Sequence, residues 1–144
     1  MYVIRAVKSG LPPRYLADNP SGRRPYRWVA GDDGLRAALR FSSLEAAGEV
    51  AHGREFAGAV ARVIWDPRST GREPRRRRRG FVIKAMTSHG ASYVAMKDGT
   101  FQWQRGRDAE AEAFRFSSVA AAYKIVERGF KGTAGATSEI VEIR

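Results

Sequence analysis

Four blocks of this 144-residue chain occur twice, in the same order. Tyr2-Val3-Ile4-Arg5-Ala6 returns as Phe81-Val82-Ile83-Lys84-Ala85, and Tyr15-Leu16-Ala17 as Tyr93-Val94-Ala95. Tyr26-Arg27-Trp28 returns as Phe101-Gln102-Trp103. The longest match sets Ala38-Leu39-Arg40-Phe41-Ser42-Ser43-Leu44-Glu45-Ala46-Ala47 against Ala113-Phe114-Arg115-Phe116-Ser117-Ser118-Val119-Ala120-Ala121-Ala122. A repeat of this kind fixes the architecture before any single element is assigned, because each copy must be one supersecondary unit. It predicts two similar units of about 65 residues, each too small to be robust alone. The expected boundaries are 1–66 for the first repeat, 67–80 for a linker and 81–144 for the second repeat.

Local chemistry gives the order of elements within each copy. Tyr2–Val7 is rich in β-branched residues and reads as a strand, ended by Pro12-Pro13. Arg14–Ala17 reads as a short second strand and Tyr26–Val29 as a third, closed by a turn at Gly31-Asp32-Asp33-Gly34. In the second copy the loop between strands two and three shrinks to Lys97-Asp98-Gly99-Thr100, a tight-hairpin signal. Ser42 followed by Glu45 has capping-box spacing and predicts a helix start. Leu44, Ala47, Val50 and Ala51 then share one face, and Gly53 supplies a stop. The second copy retains Ser117 as the cap, with Val119, Ala122, Tyr123 and Val126 as the apolar stripe ending at Gly129. A closing strand follows in each copy, Val60–Trp65 and Ile140–Ile143. The predicted fold class is therefore α+β: two tandem, pseudo-twofold related β-β-β-α-β repeats, each an antiparallel sheet covered by one helix.

Charge is the second constraint, and it is unevenly placed. The chain carries +11 in total. Residues 67–80 hold seven arginines (Arg68, Arg72, Arg75, Arg76, Arg77, Arg78 and Arg79) against Glu73 alone, which leaves +6 in fourteen positions. The two repeats are close to ordinary in charge. Five consecutive arginines repel one another and resist ordering, but their planar forks bind phosphates well and without sequence preference. They predict contact with DNA or RNA, or a solvated linker. The absence of cysteine excludes disulfides and thiolate metal sites within this sequence. No apolar run is long enough to span a bilayer, and Met1–Lys8 reads as a strand and not as a signal peptide.

The polar residues that invite a catalytic reading have simpler ones. Ser42-Ser43 and Ser117-Ser118 precede apolar helical runs, as caps do. Two histidines, His52 and His89, fall at non-equivalent positions and bring no metal-ligand set, so neither a metal nor a cofactor is expected. Glu45, Glu49 and Glu55, and the group Asp108, Glu110 and Glu112, read as exposed acidic faces. Gly132–Thr137 lacks phosphate-loop spacing and reads as a mobile loop. The recurring aromatics read mainly as core, because both copies need a core. Trp28 and Trp103 are retained as candidate base-stacking residues.

The pattern Tyr-Val-Ile-Arg, Tyr-Leu, Trp, Arg-Phe-Ser-Ser-Leu-Glu-Ala-Ala and Val-Ile resembles small modules of bacteriophage and prophage accessory proteins, in both copies. Arg outnumbers Lys 21 to 5, a usage associated with GC-rich bacterial or phage genomes. The resemblance implies a small effector without catalysis, of which anti-CRISPR proteins are one instance, working in the bacterial cytoplasm. Trp103-Gln104-Arg105-Gly106-Arg107 through Phe130-Lys131-Gly132 is also similar to a WGR-type DNA-end-binding domain, though the Trp-Gly-Arg core is not intact and the first copy lacks it. The expected function is non-enzymatic binding of nucleic acid or a nucleoprotein complex through Arg68, Arg72, Arg75, Arg76, Arg77, Arg78 and Arg79. The alternative is a phage-encoded anti-defence inhibitor that docks on a host protein. A monomer or homodimer is expected, without membrane contact.

Overall fold

Strand β1 (Tyr2–Ala6) is buried along nearly its whole length, and both of its faces are in use. Tyr2 and Ile4 point into one cluster with Leu16, Ala47 and Val63, while Val3 points into another with Tyr15 and Ala38. That is the period-two geometry of a strand with both faces covered. A computed structural model of the chain describes residues 1–129 and 138–144. It separates into two compact units, Met1–Glu73 with Asp98–Thr100, and Pro74–Lys97 with Phe101–Arg144.

In the first unit, β1 is followed by β2 (Arg14–Asp18), β3 (Tyr26–Ala30), α1 (Gly31–Ala37) and α2 (Leu44–Ala51). Then come β4 (Glu55–Phe56), β5 (Ala59–Val60) and β6 (Arg62–Trp65). Its main sheet has the order β3-β2-β1-β6, antiparallel throughout. The second unit runs β7 (Gly80–Thr87), β8 (Gly90–Lys97), β9 (Thr100–Arg105), α3 (Ala109–Glu112), α4 (Val119–Arg128) and β10 (Ser138–Ile143). Its sheet has the order β10-β7-β8-β9, which places the last strand beside the first, as in the first unit. The fold is therefore mixed α+β with two four-stranded antiparallel sheets and four helices among the described residues.

The expectation of one helix per repeat is corrected. Among the described residues each unit has two, because the segment read as a turn at Gly31–Gly34 opens α1, and Ala109–Glu112 of the acidic group forms α3. Asp32 and Asp33 occupy the first turn of α1, where the helix dipole favours acids. A seven-residue helix has little intrinsic stability. It is held by packing of Leu35 and Ala38 on Val3, Tyr15 and Ile64. In the second unit Ala109 and Ala113 pack equivalently on Val82 and Tyr93. The second face of each sheet is thus closed within its own unit.

The cap position also shifts by one residue. Ser43, not Ser42, accepts from the Ala46 amide at 3.1 Å, and Ser118, not Ser117, accepts from Ala121 at 3.1 Å. This moves Glu45 out of capping-box register. In α4 the buried residues are Ala122 and Ile125, whereas Val119 and Tyr123 from the expected stripe are exposed. The strand expected over Val60–Trp65 is split: β4 and β5 form a hairpin through Ala57-Gly58, and only Arg62–Trp65 joins the sheet. The Asp-Gly hairpin is present, with Asp98 and Gly99 both at positive φ, 49° and 77°.

The Arg-Phe-Ser-Ser blocks tie helix to sheet in both units. Phe41 and Tyr2 exchange two backbone hydrogen bonds, and Phe116 and Phe81 do the same. Phe101, Phe114 and Phe116 meet with ring centroids 4.8–5.5 Å apart. That spacing suits tilted and edge-to-face aromatic contact. Gly80 opens β7 with φ +138°, and a Cβ there would lie 2.4 Å from the Phe116 carbonyl oxygen. Gly132–Thr137, read from sequence as a mobile loop, and Phe130-Lys131-Gly132 of the WGR-like match lie outside the described residues.

Candidate phosphate-contacting surface

The arginine-rich segment contains no helix or strand between Asp66 and Arg79, and all seven of its arginines are exposed. Arg68 and Arg72 fall within the first unit, while Arg75, Arg76, Arg77, Arg78 and Arg79 fall within the second. Among the described residues none of the seven forms an ion pair. Arg76 alone of them makes a side-chain hydrogen bond there, from Nη2 to the Met96 carbonyl at 3.3 Å. Arg75, Arg77, Arg78 and Arg79 therefore carry exposed guanidinium groups without a protein partner among the described residues. Guanidinium groups in this state keep their bidentate donor geometry available.

The start of the segment is more ordered than a run of like charge implies. Asp66, directly after β6, is 2% exposed. A buried carboxylate must be paired and hydrogen-bonded. Its Oδ2 accepts from Arg40 Nε at 2.8 Å and its Oδ1 from the Arg68 amide at 2.9 Å. The Ser69 amide donates to the Asp66 carbonyl at 2.9 Å, and the Asp66 amide to the Met1 carbonyl at 2.8 Å. Arg40 also donates from Nη1 to the Ala38 and Arg36 carbonyls, at 3.0 and 3.4 Å, and from Nη2 to the Leu35 carbonyl at 2.9 Å. These are the orphan carbonyls at the end of α1, where a cation is favoured. An open cleft of about 480 Å³ lies against this network, lined by Met1, Arg36, Arg40, Asp66, Arg68, Ser69 and Thr70.

The aromatic candidates sit differently. Trp28 is half-buried against the α2-side core, 6.2 Å from the Phe56 ring. The Arg14 guanidinium lies over Phe56 at 4.3 Å. Trp103 is half-buried on β9. Of these two candidates, Trp28 belongs to the first unit and Trp103 to the second. The acidic groups set aside in the sequence reading have structural contacts: Glu110 accepts from the Tyr93 hydroxyl at 3.0 Å and Glu112 from Gln104 at 2.8 Å. Burial, together with the Glu110 carboxylate beside it, pushes the Tyr93 hydroxyl above its ordinary pKa. His52 closes α2, and His89 is exposed in the turn after β7. Among the described residues no three His, Cys, Asp or Glu side chains converge as a metal site would require. No described helix is long and apolar enough to cross a membrane.

Sequence reasoning missed Arg36, Arg40, Asp66, Ser69 and Thr70. The signal for Arg40 was present, since it repeats as Arg115. No protein-family model matches the chain, and neither a curated protein nor a solved structure does.

Proposed function

We propose that the chain is a non-enzymatic binding protein that grips nucleic acid, free or within a nucleoprotein complex. The grip is by phosphate contacts from Arg68, Arg72, Arg75, Arg76, Arg77, Arg78 and Arg79. One observation carries the reading: seven exposed arginines within fourteen residues have no carboxylate partner among the described residues. Arginine in such a state contributes little to the fold, so its residual chemistry is that of an anion-seeking fork. Uniform phosphate contact needs no base readout, which agrees with a segment lacking helix or strand to enter a groove. Trp28 and Trp103 are not required by this reading. The repeats serve as a duplicated β-β-β-α-β-like scaffold that presents the segment.

A salt titration tests it. Binding of random-sequence DNA and RNA oligonucleotides is followed by fluorescence anisotropy from about 50 to 200 mM salt, where counterion release dominates. The expected plot of log affinity against log salt is steep and linear. Replacing Arg75, Arg76, Arg77, Arg78 and Arg79 together by Ser should flatten its slope by roughly 4 to 5 units, at about 0.9 per lost contact on duplex DNA. No binding at the lowest salt overturns the proposal. Binding with an unchanged slope in the Ser variant removes the segment as the site. Nuclease-resistant recovery of one stoichiometric acidic protein, without oligonucleotide binding, would turn the reading toward the inhibitor alternative.

A further inference from the structure

The duplication separates residues the fold needs twice from residues that occur once. Arg115 repeats the helix clamp of Arg40, donating to the Ala113 carbonyl at 3.1 Å and the Glu110 carbonyl at 2.9 Å. Asp66 has no such counterpart. Trp65 pairs with Tyr2 and Glu142 with Phe81, so the register sets Ile143 at the place of Asp66. The repeat alignment likewise sets Ala111 at the place of Arg36. The fold is built in the second unit without a carboxylate or a second arginine at these positions. Their presence in the first unit therefore calls for an explanation other than the fold.

The charge balance of the cleft supplies one. Arg40 and Asp66 neutralise each other across 2.8 Å. Both Asp66 oxygens already accept a hydrogen bond, so neither presents a bare carboxylate to an incoming anion. The α1 carbonyls, which would repel an anion, are covered by the Arg40 guanidinium. Arg36 and Arg68 remain, both exposed, and neither side chain has a partner among the described residues. Ser69 and Thr70 line the cleft beside them, and the Ser69 hydroxyl donates to the Met1 carbonyl at 3.5 Å. Two unpaired guanidinium forks form a donor-rich set without a bare carboxylate beside them. The two uncompensated guanidinium charges match a phosphomonoester, at about −1.5 to −2 near neutral pH, better than a singly charged phosphodiester.

We propose that this cleft binds a phosphomonoester, the terminal phosphate of a nucleic-acid strand, with Arg36 and Arg68 as its gripping residues. Arg40 and Asp66 are positioning residues, since Asp66 fixes the Arg68 backbone while leaving that side chain free. The nucleic-acid source rests on the function proposed above; the phosphate chemistry of the cleft does not.

The test uses the full chain and one single-stranded oligonucleotide made with a 5′-phosphate, a 3′-phosphate or hydroxyl ends. The expected result is about tenfold tighter binding of one phosphorylated form, the effect of a good charge-assisted contact. That preference should vanish in an Arg36→Ser/Arg68→Ser variant and survive in the variant with Ser at positions 75–79. Both substituted positions of the first variant are exposed, and an unchanged melting temperature confirms that it folds. Equal binding of all three oligonucleotides, with steep salt dependence intact, overturns the cleft proposal and leaves the arginine segment standing. If no oligonucleotide binds, yet inorganic phosphate shifts the arginine side-chain NMR signals in wild type and not in the double variant, the nucleic-acid source falls and the phosphate site remains. No response to either probe overturns both.

Discussion

Arg40 and Arg115 occupy matching positions in the two units, do the same work at the end of a short helix, and then differ in what lies beyond. Arg115 spends its donors on carbonyl oxygens of its own helix and cap. Arg40 does this and also carries the buried Asp66. The first unit has thus added a charge pair to a device that works without one. Such an addition is not expected to raise stability, because desolvating two charges offsets most of their attraction. What it provides is a fixed turn after β6, with the amides of Arg68 and Ser69 held in place.

The sharpest way to break this comparison is to remove both arginines separately. Arg40→Ala strands the Asp66 carboxylate and should cost about 3 kcal/mol, since an uncompensated buried charge is the main penalty. Arg115→Ala loses only hydrogen bonds to carbonyls and should cost about 1 to 2 kcal/mol. Urea unfolding followed by hydrogen exchange, which reads each unit separately, gives both numbers. Adding Asp66→Ala to Arg40→Ala should recover part of the loss. If the two single variants cost the same, Asp66 is not coupled to Arg40 as described.

A smaller effect should be equal in the two units. Ser43→Ala and Ser118→Ala each remove one cap hydrogen bond and should cost about 1 kcal/mol. Ser42→Ala should cost less, which chemical denaturation of the three variants would show. The smallest effect is confined to the second unit and to alkaline pH. The folded state holds the Tyr93 proton more tightly than the unfolded state, so stability is complete below the ordinary tyrosine pKa near 10 and falls as pH rises above it. Tyr93→Phe should flatten that alkaline decline, measured by denaturation against pH.

The main strands and helices α2 and α4 were legible because strands and caps leave local signals. Tyr2–Ala6 and Phe81–Ala85 announce strands by β-branching, and Asp98-Gly99 announces its hairpin. Helices α1 and α3 were hidden because Gly31-Asp32-Asp33-Gly34 and Asp108–Glu112 have turn and surface chemistry. Only packing of Leu35, Ala38, Ala109 and Ala113 onto the sheets makes them helical. The exposed arginines, Arg77 at the centre of the run of five among them, were plain in the sequence. The cleft was not, because it joins Arg36 from a helix unseen in the sequence to Arg68, through an aspartate whose burial no local pattern reveals.

Gly80 sets a limit on how such a segment can change. A side chain at that position would be driven into the Phe116 carbonyl that accepts the hydrogen bond from the Phe81 amide. The arginine tract therefore cannot acquire a sixth member by substitution on its C-terminal side without disturbing the opening of β7. The run can be lengthened by substitution only upstream, toward Pro74, so growth of this segment should be one-sided along the chain.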